Sequence, residues 1–252
     1  MKVLILAGGF AKRLGDIGKN TPKALLTVSG KPVIEHILER LEPLADVDGV
    51  FVSTNKRFEE DFVSWTRGLR SPFDINLVIE PAMEEGQKLG SIGALQFFIE
   101  HAAIDDDLLV INGDNLFEFD MPAFVAFYRE KGGFTFGVYD TKDPEEAKKM
   151  GVVLTDSTGR VVDFEEKPEH PKTTQVSTGI YAFPSRALPL IKEYISEGNS
   201  PDRLGDFLIW LMGRQPIYAF AFEGKWFDIG TPETYRLADE EFGSDGDKGH
   251  AV

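Results

Sequence analysis

The chain has 252 residues, with 42 Asp and Glu against 27 Lys and Arg for a net charge of −15, which argues against a basic face that could hold a nucleic-acid backbone. Hydrophobic residues make up 42% and charged residues 27%, the balance of an ordinary globular protein and not of a disordered or membrane-embedded one. There are no cysteines, so disulfides, thiolate metal sites and thiol chemistry are ruled out, and a cytoplasmic location is expected.

In chain order, Lys2 to Ala7 reads as a strand covered on both faces, stopped by Gly8-Gly9. Its five consecutive apolar residues are too few for a signal-peptide core. A loop without periodicity runs to about Ser29. Pro32 then stands where a first helical residue would, and Val33, Ile34, Ile37, Leu38, Leu41 and Leu44 recur at helical spacing. Strands are expected over 49–53, 76–80 and 108–111, alternating with helices over 58–67, 91–102 and 122–131. This βαβ alternation predicts an α/β fold, a single Rossmann-like, doubly wound sheet that is mostly parallel.

Beyond residue 132 the spacing changes. Phe134 to Tyr139, Val152 to Thr155 and Val161 to Phe164 follow closely on one another, and Asp156-Ser157-Thr158-Gly159 is a hairpin-turn sequence. Mixed or antiparallel strands are therefore expected to extend the sheet. Ile180 to Phe183 reads as a strand, 185–197 and 203–213 as helices, Ile217 to Phe222 and Trp226 to Ile229 as strands, and Pro232 to about Glu241 as a helix. No linker divides the chain, so one domain is expected over 1–242, with an unstructured Gly- and Asp-rich tail over 243–252. No apolar run approaches 18 residues, so no membrane span is expected. No hexapeptide repeat follows the last helix, so no fused acyltransferase and no repeat-built trimer are expected.

Charge is unevenly placed. Residues 1–31 hold six cations (Lys2, Lys12, Arg13, Lys19, Lys23 and Lys31) against Asp16 alone, a local excess suited to a compact anion. The segment Gly8-Gly9-Phe10-Ala11-Lys12-Arg13-Leu14 follows a strand, where open α/β sheets place ligands, and it matches neither the dinucleotide nor the Walker spacing. Lys12, Arg13 and Lys23 beside it point to a triphosphate. Asp114, in Asn112-Gly113-Asp114-Asn115, and Asp228, in Trp226-Phe227-Asp228-Ile229-Gly230, both close strands. Two carboxylates on one sheet edge suit Mg²⁺ shared with phosphate oxygens. His36, His101, His170 and His250 fall outside these segments. Asp105-Asp106-Asp107 reads as a solvated loop at the opposite edge, and Phe119, Phe124, Phe127 and Tyr128 read as packing.

Taken together, Gly8 to Leu14 with Thr21-Pro22-Lys23, Asn112-Gly113-Asp114, Phe164-Glu165-Glu166-Lys167-Pro168 and Trp226 to Tyr235 resemble, in order and over nearly the whole chain, the sugar-1-phosphate nucleotidyltransferase family. The resemblance implies transfer of a nucleotidyl group from a nucleoside triphosphate to a sugar 1-phosphate, with pyrophosphate released. Nucleotide contacts would then come from Ala7, Gly8, Gly9 and Lys12, with Arg13 on the β/γ-phosphates and Lys23 on the α-phosphate. Asp114 and Asp228 would hold Mg²⁺. Lys167 would bind the sugar phosphate, while Glu166, Gly151 and Thr178 would line the sugar pocket.

Three stretches depart from the family pattern, one of them Gly15-Asp16-Ile17, which stands after Leu14 where the family has Pro-x-Thr. Ala11-Lys12 stands where the family has Gly-Thr, and Ser177-Thr178-Gly179 where it has Asn-Ala-Gly. The base pocket is expected at Glu80 and the Gly90 loop. If Glu80 reaches the base, its carboxylate only accepts, which suits the adjacent N–H donors of guanine and favours GTP over dTTP or UTP. The alternatives are a cytidylyltransferase for a non-sugar phosphate and a silent nucleotide-sugar-binding regulatory subunit.

Overall fold

Strand β1 (Lys2–Leu6) sends Val3 and Ile5 to one face and Leu4 to the other, and all three are fully buried. A sheet with such a strand at its centre must be covered on both sides. The structure, a computed structural model, describes residues 1–18 and 21–243; of the tail expected over 243–252, Gly243 instead ends the last helix and the remainder lies outside the described residues. After β1 come a short hairpin, β2 (Thr27–Val28) with β3 (Lys31–Pro32), and then α1 (Val33–Leu41), β4 (Val50–Asn55), α2 (Glu59–Gly68), β5 (Ile75–Glu80), α3 (Gly90–His101), β6 (Leu108–Asn112), β7 (Asn115–Phe117) and α4 (Met121–Lys131). The second half holds β8 (Thr135–Asp140), α5 (Pro144–Ala147), β9 (Gly151–Thr155), β10 (Val161–Glu166), β11 (Gln175–Phe183), α6 (Pro189–Ser196), α7 (Leu204–Met212), β12 (Tyr218–Phe222), β13 (Trp226–Asp228) and α8 (Pro232–Gly243).

The main sheet runs β10-β9-β11-β6-β1-β4-β5, with β8 paired to β11 and β12 paired to β8. β6, β1, β4 and β5 are parallel, whereas β11 is antiparallel to β6 and β8. The expected mixed, mostly parallel sheet is therefore present. α1, α2 and α4 pack on the face carrying Val3, Ile5, Val52 and Ile111, through Ile37, Leu41, Phe62, Phe124 and Tyr128. α3, α6 and α7 cover the other face, where Leu95, Phe98, Ile191, Phe207 and Leu211 meet Leu4, Val110, Phe136 and Phe183. Of the aromatic set Phe119, Phe124, Phe127 and Tyr128, three are buried as expected, while Phe127 is half-buried and packs against the Phe220 ring.

Several local expectations need correction. Pro32 precedes α1 in extended backbone (φ −55°, ψ 142°), and Leu44 packs beyond the helix end. β11 starts five residues before Ile180, because a register shift between Ser177 and Tyr181 and a positive φ at Gly179 interrupt the alternation that marks a strand. Asp105-Asp106-Asp107 lies at the amino end of β6, opposite the cleft, but is not merely solvated. Asp106 pairs with the Met1 amino group at 3.2 Å, and Asp107 accepts from the Ser185 N–H at 2.9 Å. The short antiparallel ribbon of β7 with β13 has too few residues to show a period, and it carries the site.

β1 lies where the chain reverses direction across the sheet. The connection through α1 leads to β4 and β5 on one side, and α3 returns to β6 on the other. Open α/β sheets bind ligands at the carboxyl ends of strands flanking such a switch point. Those ends are Leu6, Asn55, Glu80 and Asn112. Ile180 of β11 registers with Ile111, so Gln175 to Thr178 project past the end of β6 and carry β9 and β10 upward as a wall.

Candidate active site

The loop after β1 is fixed from below. The Asn55 side-chain amide donates to the Gly8 carbonyl at 3.0 Å, and the Ala7 N–H bonds the Ser53 carbonyl at 2.7 Å. Gly113 approaches so closely that an added Cβ would stand 3.0 Å from the Leu6 carbonyl, and its N–H donates to that oxygen at 2.8 Å. The next turn is tighter: Ala11 adopts φ +50°, and 3-10 turns run over Lys12–Gly18. Ala11 and Leu14 turn inward onto Ile229 and Ala238, leaving Arg13 exposed. The Lys12 side chain lies outside the described parts of the chain.

Ala11 carries its Cβ through a conformation glycine adopts more easily, and Gly18 makes the room. A Cβ at Gly18 would lie 2.6 Å from the Ala11 Cβ and 2.8 Å from the Ala11 carbonyl. Gly18→Ala is therefore expected to lower stability by about 1–3 kcal/mol through overpacking. Ala11→Gly should restore part of that loss in the double variant. Thermal melts of both single variants and the double variant would check this, and strict additivity would show that the two positions do not share the space.

Lys23 begins a short 3-10 turn (Lys23–Leu25) and places its ammonium 2.6 Å from Asp114 Oδ2. Asp228 arrives on β13, in register with Asn115, and the Ile229 N–H donates to the Asp114 carbonyl at 2.8 Å. The ribbon is tied further by the Trp226 indole N–H, which donates to Asn115 Oδ1 at 2.6 Å. Burial, and then the Asp114 charge, push the Asp228 carboxyl up to about 6, against the pull of Lys23, Arg13 and Lys167. The Arg13 guanidinium lies over Gly230, where an added Cβ would be 3.2 Å from Nη2.

This arrangement bears directly on a metal. Among the described residues there is no group of three or more His, Cys, Asp or Glu that could hold an ion. Two carboxylates with raised mutual repulsion, beside open space and cationic side chains, fit a Mg²⁺ that takes its remaining ligands from phosphate and water.

Two adjoining lobes form one cleft. The first, about 220 Å³, is lined by Ala7, Gly8, Gly9, Lys23, Glu80 and Gly90, among others. The second, about 370 Å³, is lined by Arg13, Gly151, Glu166, Lys167 and Asp228, among others. Asp114, Asn112, Ser91 and Asp202 line both. Glu80 forms the floor under Gly8 and accepts from the Ser53 hydroxyl at 2.7 Å; burial pushes its carboxyl up, against that hydrogen bond.

In the second lobe Glu166 lies across from Gly151 in register. A Cβ added at Gly205 would meet Glu166 Oε2 at 2.4 Å, and one at Gly151 would meet it at 3.2 Å, so two glycines hold this carboxylate. Burial raises the Glu166 carboxyl, while the Lys167 and Arg203 charges oppose the shift. Lys167 itself sits at φ +51°, its N–H bonded to the Met150 carbonyl at 3.0 Å. Thr178 also lines this lobe, with its side chain buried and its hydroxyl donating to the Gly137 carbonyl at 3.0 Å. Ser177 brings its hydroxyl to within 3.3 Å of the Tyr181 hydroxyl on this lobe.

Sequence reasoning missed the segment before α7. The N–H groups of Ser91, Ile92 and Gly93, at the start of α3, donate to the Asp202 and Pro201 carbonyls at 2.9–3.2 Å. Gly90, at φ +78°, leaves no room for a Cβ against Pro201 and Asp202. These contacts bring Asp202, Arg203 and Gly205 onto the cleft. The signal available was Gly205 inside a strongly apolar helix, a position that weakens a helix unless close approach requires it.

The fold is a mixed α/β sheet with a two-lobed cleft at its switch point, and comparison with known proteins gives its family. The pattern of the Nucleotidyl transferase family matches residues 2–244, and the chain belongs to that family. It is 28% identical over 232 residues to "Bifunctional protein GlmU" of Methanocaldococcus jannaschii, covering 92% of this chain and 52% of that protein. It is 32% identical over 243 residues to "UTP--glucose-1-phosphate uridylyltransferase" of Synechocystis sp., covering 93% of this chain and 61% of that protein. The chain thus spans about half to three-fifths of the length of these relatives. A solved structure from Bacillus anthracis, "a Putative Glucose-1-Phosphate Thymidylyltransferase" in complex with a sucrose, superposes with a TM-score of 0.82 at 28% identity, covering 96% of this chain and 95% of that one. Among the described residues no helix is long and apolar enough to cross a membrane.

Proposed function

We propose that the protein transfers a nucleotidyl group from a nucleoside triphosphate, GTP in preference to dTTP or UTP, to a sugar 1-phosphate. The observation that carries this reading is the single cleft of two lobes with Asp114 at their seam. One lobe has the glycine-rich loop and Lys23 for a triphosphate, whose β/γ end would meet Arg13 from the other lobe; that second lobe also has Lys167 with the Glu166 carboxylate. A phosphoryl oxygen of the sugar phosphate attacks the α-phosphorus, the bond to the β-phosphate bridging oxygen breaks, and pyrophosphate leaves. A phosphate monoester is largely dianionic at neutral pH, so no base need take a proton. The protein's part is positioning and charge neutralisation.

In this reading Arg13 binds the β/γ-phosphates and Lys23 the α-phosphate, as Ala7 lines the lobe and the backbone N–H groups of Gly8 and Gly9 approach the same chain. Lys167 aims the attacking phosphate across the seam. Glu166, between its two glycines, accepts from sugar hydroxyls, and the backbone of Gly151 leaves space for the ring. Asp114 and Asp228 would hold Mg²⁺, which when bound neutralises charge on the transferring phosphates. Glu80 supports the guanine preference, because a buried acceptor at the end of β5 matches two adjacent N–H donors. Arg13→Ala is expected to weaken triphosphate use roughly tenfold to a hundredfold, the loss of a charge-assisted hydrogen bond. Unchanged kinetics would remove the loop from the site.

Pyrophosphate release with each nucleoside triphosphate, Mg²⁺ and a panel of phosphates tests the whole. Release that requires a sugar 1-phosphate and is fastest with GTP supports it. Release only with a non-sugar phosphate, or nucleotide binding without turnover, overturns it.

A further inference from the structure

The parallel strands set a direction along the cleft. From Asp114 after β6, the carboxyl ends pass through the glycine loop of β1 and Asn55 of β4 to Glu80 of β5. With phosphates drawn to Lys23, a nucleotide lying along this edge carries its base towards β5. At that end the lobe holds two charged side chains of opposite sign. Glu80 is buried, and its Oε1 accepts the Ser53 hydroxyl hydrogen, which leaves Oε2 to accept from a base. Lys88, on the loop between β5 and α3, lines the same lobe and reaches Asp202 at 3.4 Å across its mouth. That pair is about half exposed on both sides, and exposed pairs hold their partners weakly. The ammonium is therefore free to donate to a carbonyl on a base as well, since its three N–H groups are not all taken by Asp202.

We infer that Lys88, together with Glu80, is a specificity-determining residue that admits keto bases and rejects amino bases. The inference rests on the nucleotidyl-transfer reading and deepens it. A keto base presents a carbonyl acceptor beside an N–H donor: O6 and N1–H in guanine, O4 and N3–H in uracil and thymine. Lys88 only donates and Glu80 only accepts, so both are satisfied. Adenine and cytosine present the reverse, an amino donor beside a bare ring nitrogen. Both contacts then become like against like, leaving polar groups without partners, and a site built to hydrogen-bond one edge discriminates strongly against its inverse. Guanine gains one contact more than uracil, since its 2-amino group also donates to the carboxylate.

The test measures binding of GTP, UTP, ATP and CTP by calorimetry in the full chain, and kcat/KM for each with a sugar 1-phosphate. The variants are Lys88→Met, Lys88→Arg and Asp202→Asn. The wild type is expected to bind GTP and UTP at least tenfold more tightly than ATP and CTP. Lys88→Met should lower GTP and UTP affinity by roughly tenfold to a hundredfold, with ATP changed by less than about threefold. Lys88→Arg should recover most of the preference. Asp202→Asn removes the ion pair but leaves the ammonium, and should keep the keto preference. A wild type that binds ATP as tightly as GTP overturns the inference, as does Lys88→Met with its preference intact or Asp202→Asn that loses it equally. A keto preference in binding without pyrophosphate release from any nucleotide would support the base reading while overturning nucleotidyl transfer.

Discussion

Asp114→Asn and Asp228→Asn are each expected to reduce nucleotidyl transfer on the order of 10²–10³-fold, the scale seen when one preorganised charge-stabilising contact is removed from a transition state. The geometry makes this loss separable from misfolding. Both residues sit on a ribbon held by backbone and by the Trp226 to Asn115 hydrogen bond, none of which needs either carboxylate charge. Asp228 is moreover a carboxylate that burial and Asp114 both disfavour as an anion. Replacing it with the neutral amide should therefore leave the melting temperature of the metal-free protein unchanged or higher while activity collapses. Stability given up for a poised site is a common exchange. A parallel fall in melting temperature and activity would assign Asp228 to the fold.

Lys167→Ala is expected to separate the two substrates. Lys167 lines only the second lobe, and its position is set by the Met150 carbonyl rather than by the glycine-rich loop. Truncation should raise KM for the sugar phosphate roughly tenfold to a hundredfold. Triphosphate affinity, measured by calorimetry without sugar phosphate, should stay within about threefold. Equal losses in both would place the ammonium at the triphosphate and collapse the division of the cleft. Lys167 also holds a left-handed backbone conformation at φ +51°, which costs a non-glycine residue of order 1–3 kcal/mol and is retained where the surroundings over-determine it.

How far the sequence could be read depended on how local each feature's cause is. Lys2 to Leu6 and Leu108 to Asn112 announce themselves as buried strands because each residue's neighbours along the chain are apolar, whichever face they serve. The glycine loop and Asp114 follow directly from those strands, so they were placed as well. The start of β11 shows the opposite case. Adjacent strand residues face opposite ways, so a shift of one position exchanges inside for outside. The register shift within β11 is set by its pairing with β8, which no local pattern displays. Asp202 and Arg203 were invisible for a similar reason: they reach the cleft only because the amino end of α3 takes its hydrogen bonds from their loop, more than a hundred residues away in sequence. The ribbon of β7 and β13 is too short to carry a period.

The packing of α8 has a consequence for the order in which the protein is made. Ala11 and Leu14, beneath the glycine-rich loop, are buried against Ile229 and Ala238. The Ser29 N–H donates to Asp239 Oδ1 at 2.7 Å, and the Tyr235 hydroxyl donates to the Thr27 carbonyl at 2.6 Å. The loop after β1 is thus completed by residues about 210 positions further along the chain. Until α8 has been synthesised, Ala11 and Leu14 lack the side chains they close upon. A chain interrupted near residue 225 would therefore expose both residues, which Ile229 and Ala238 otherwise cover.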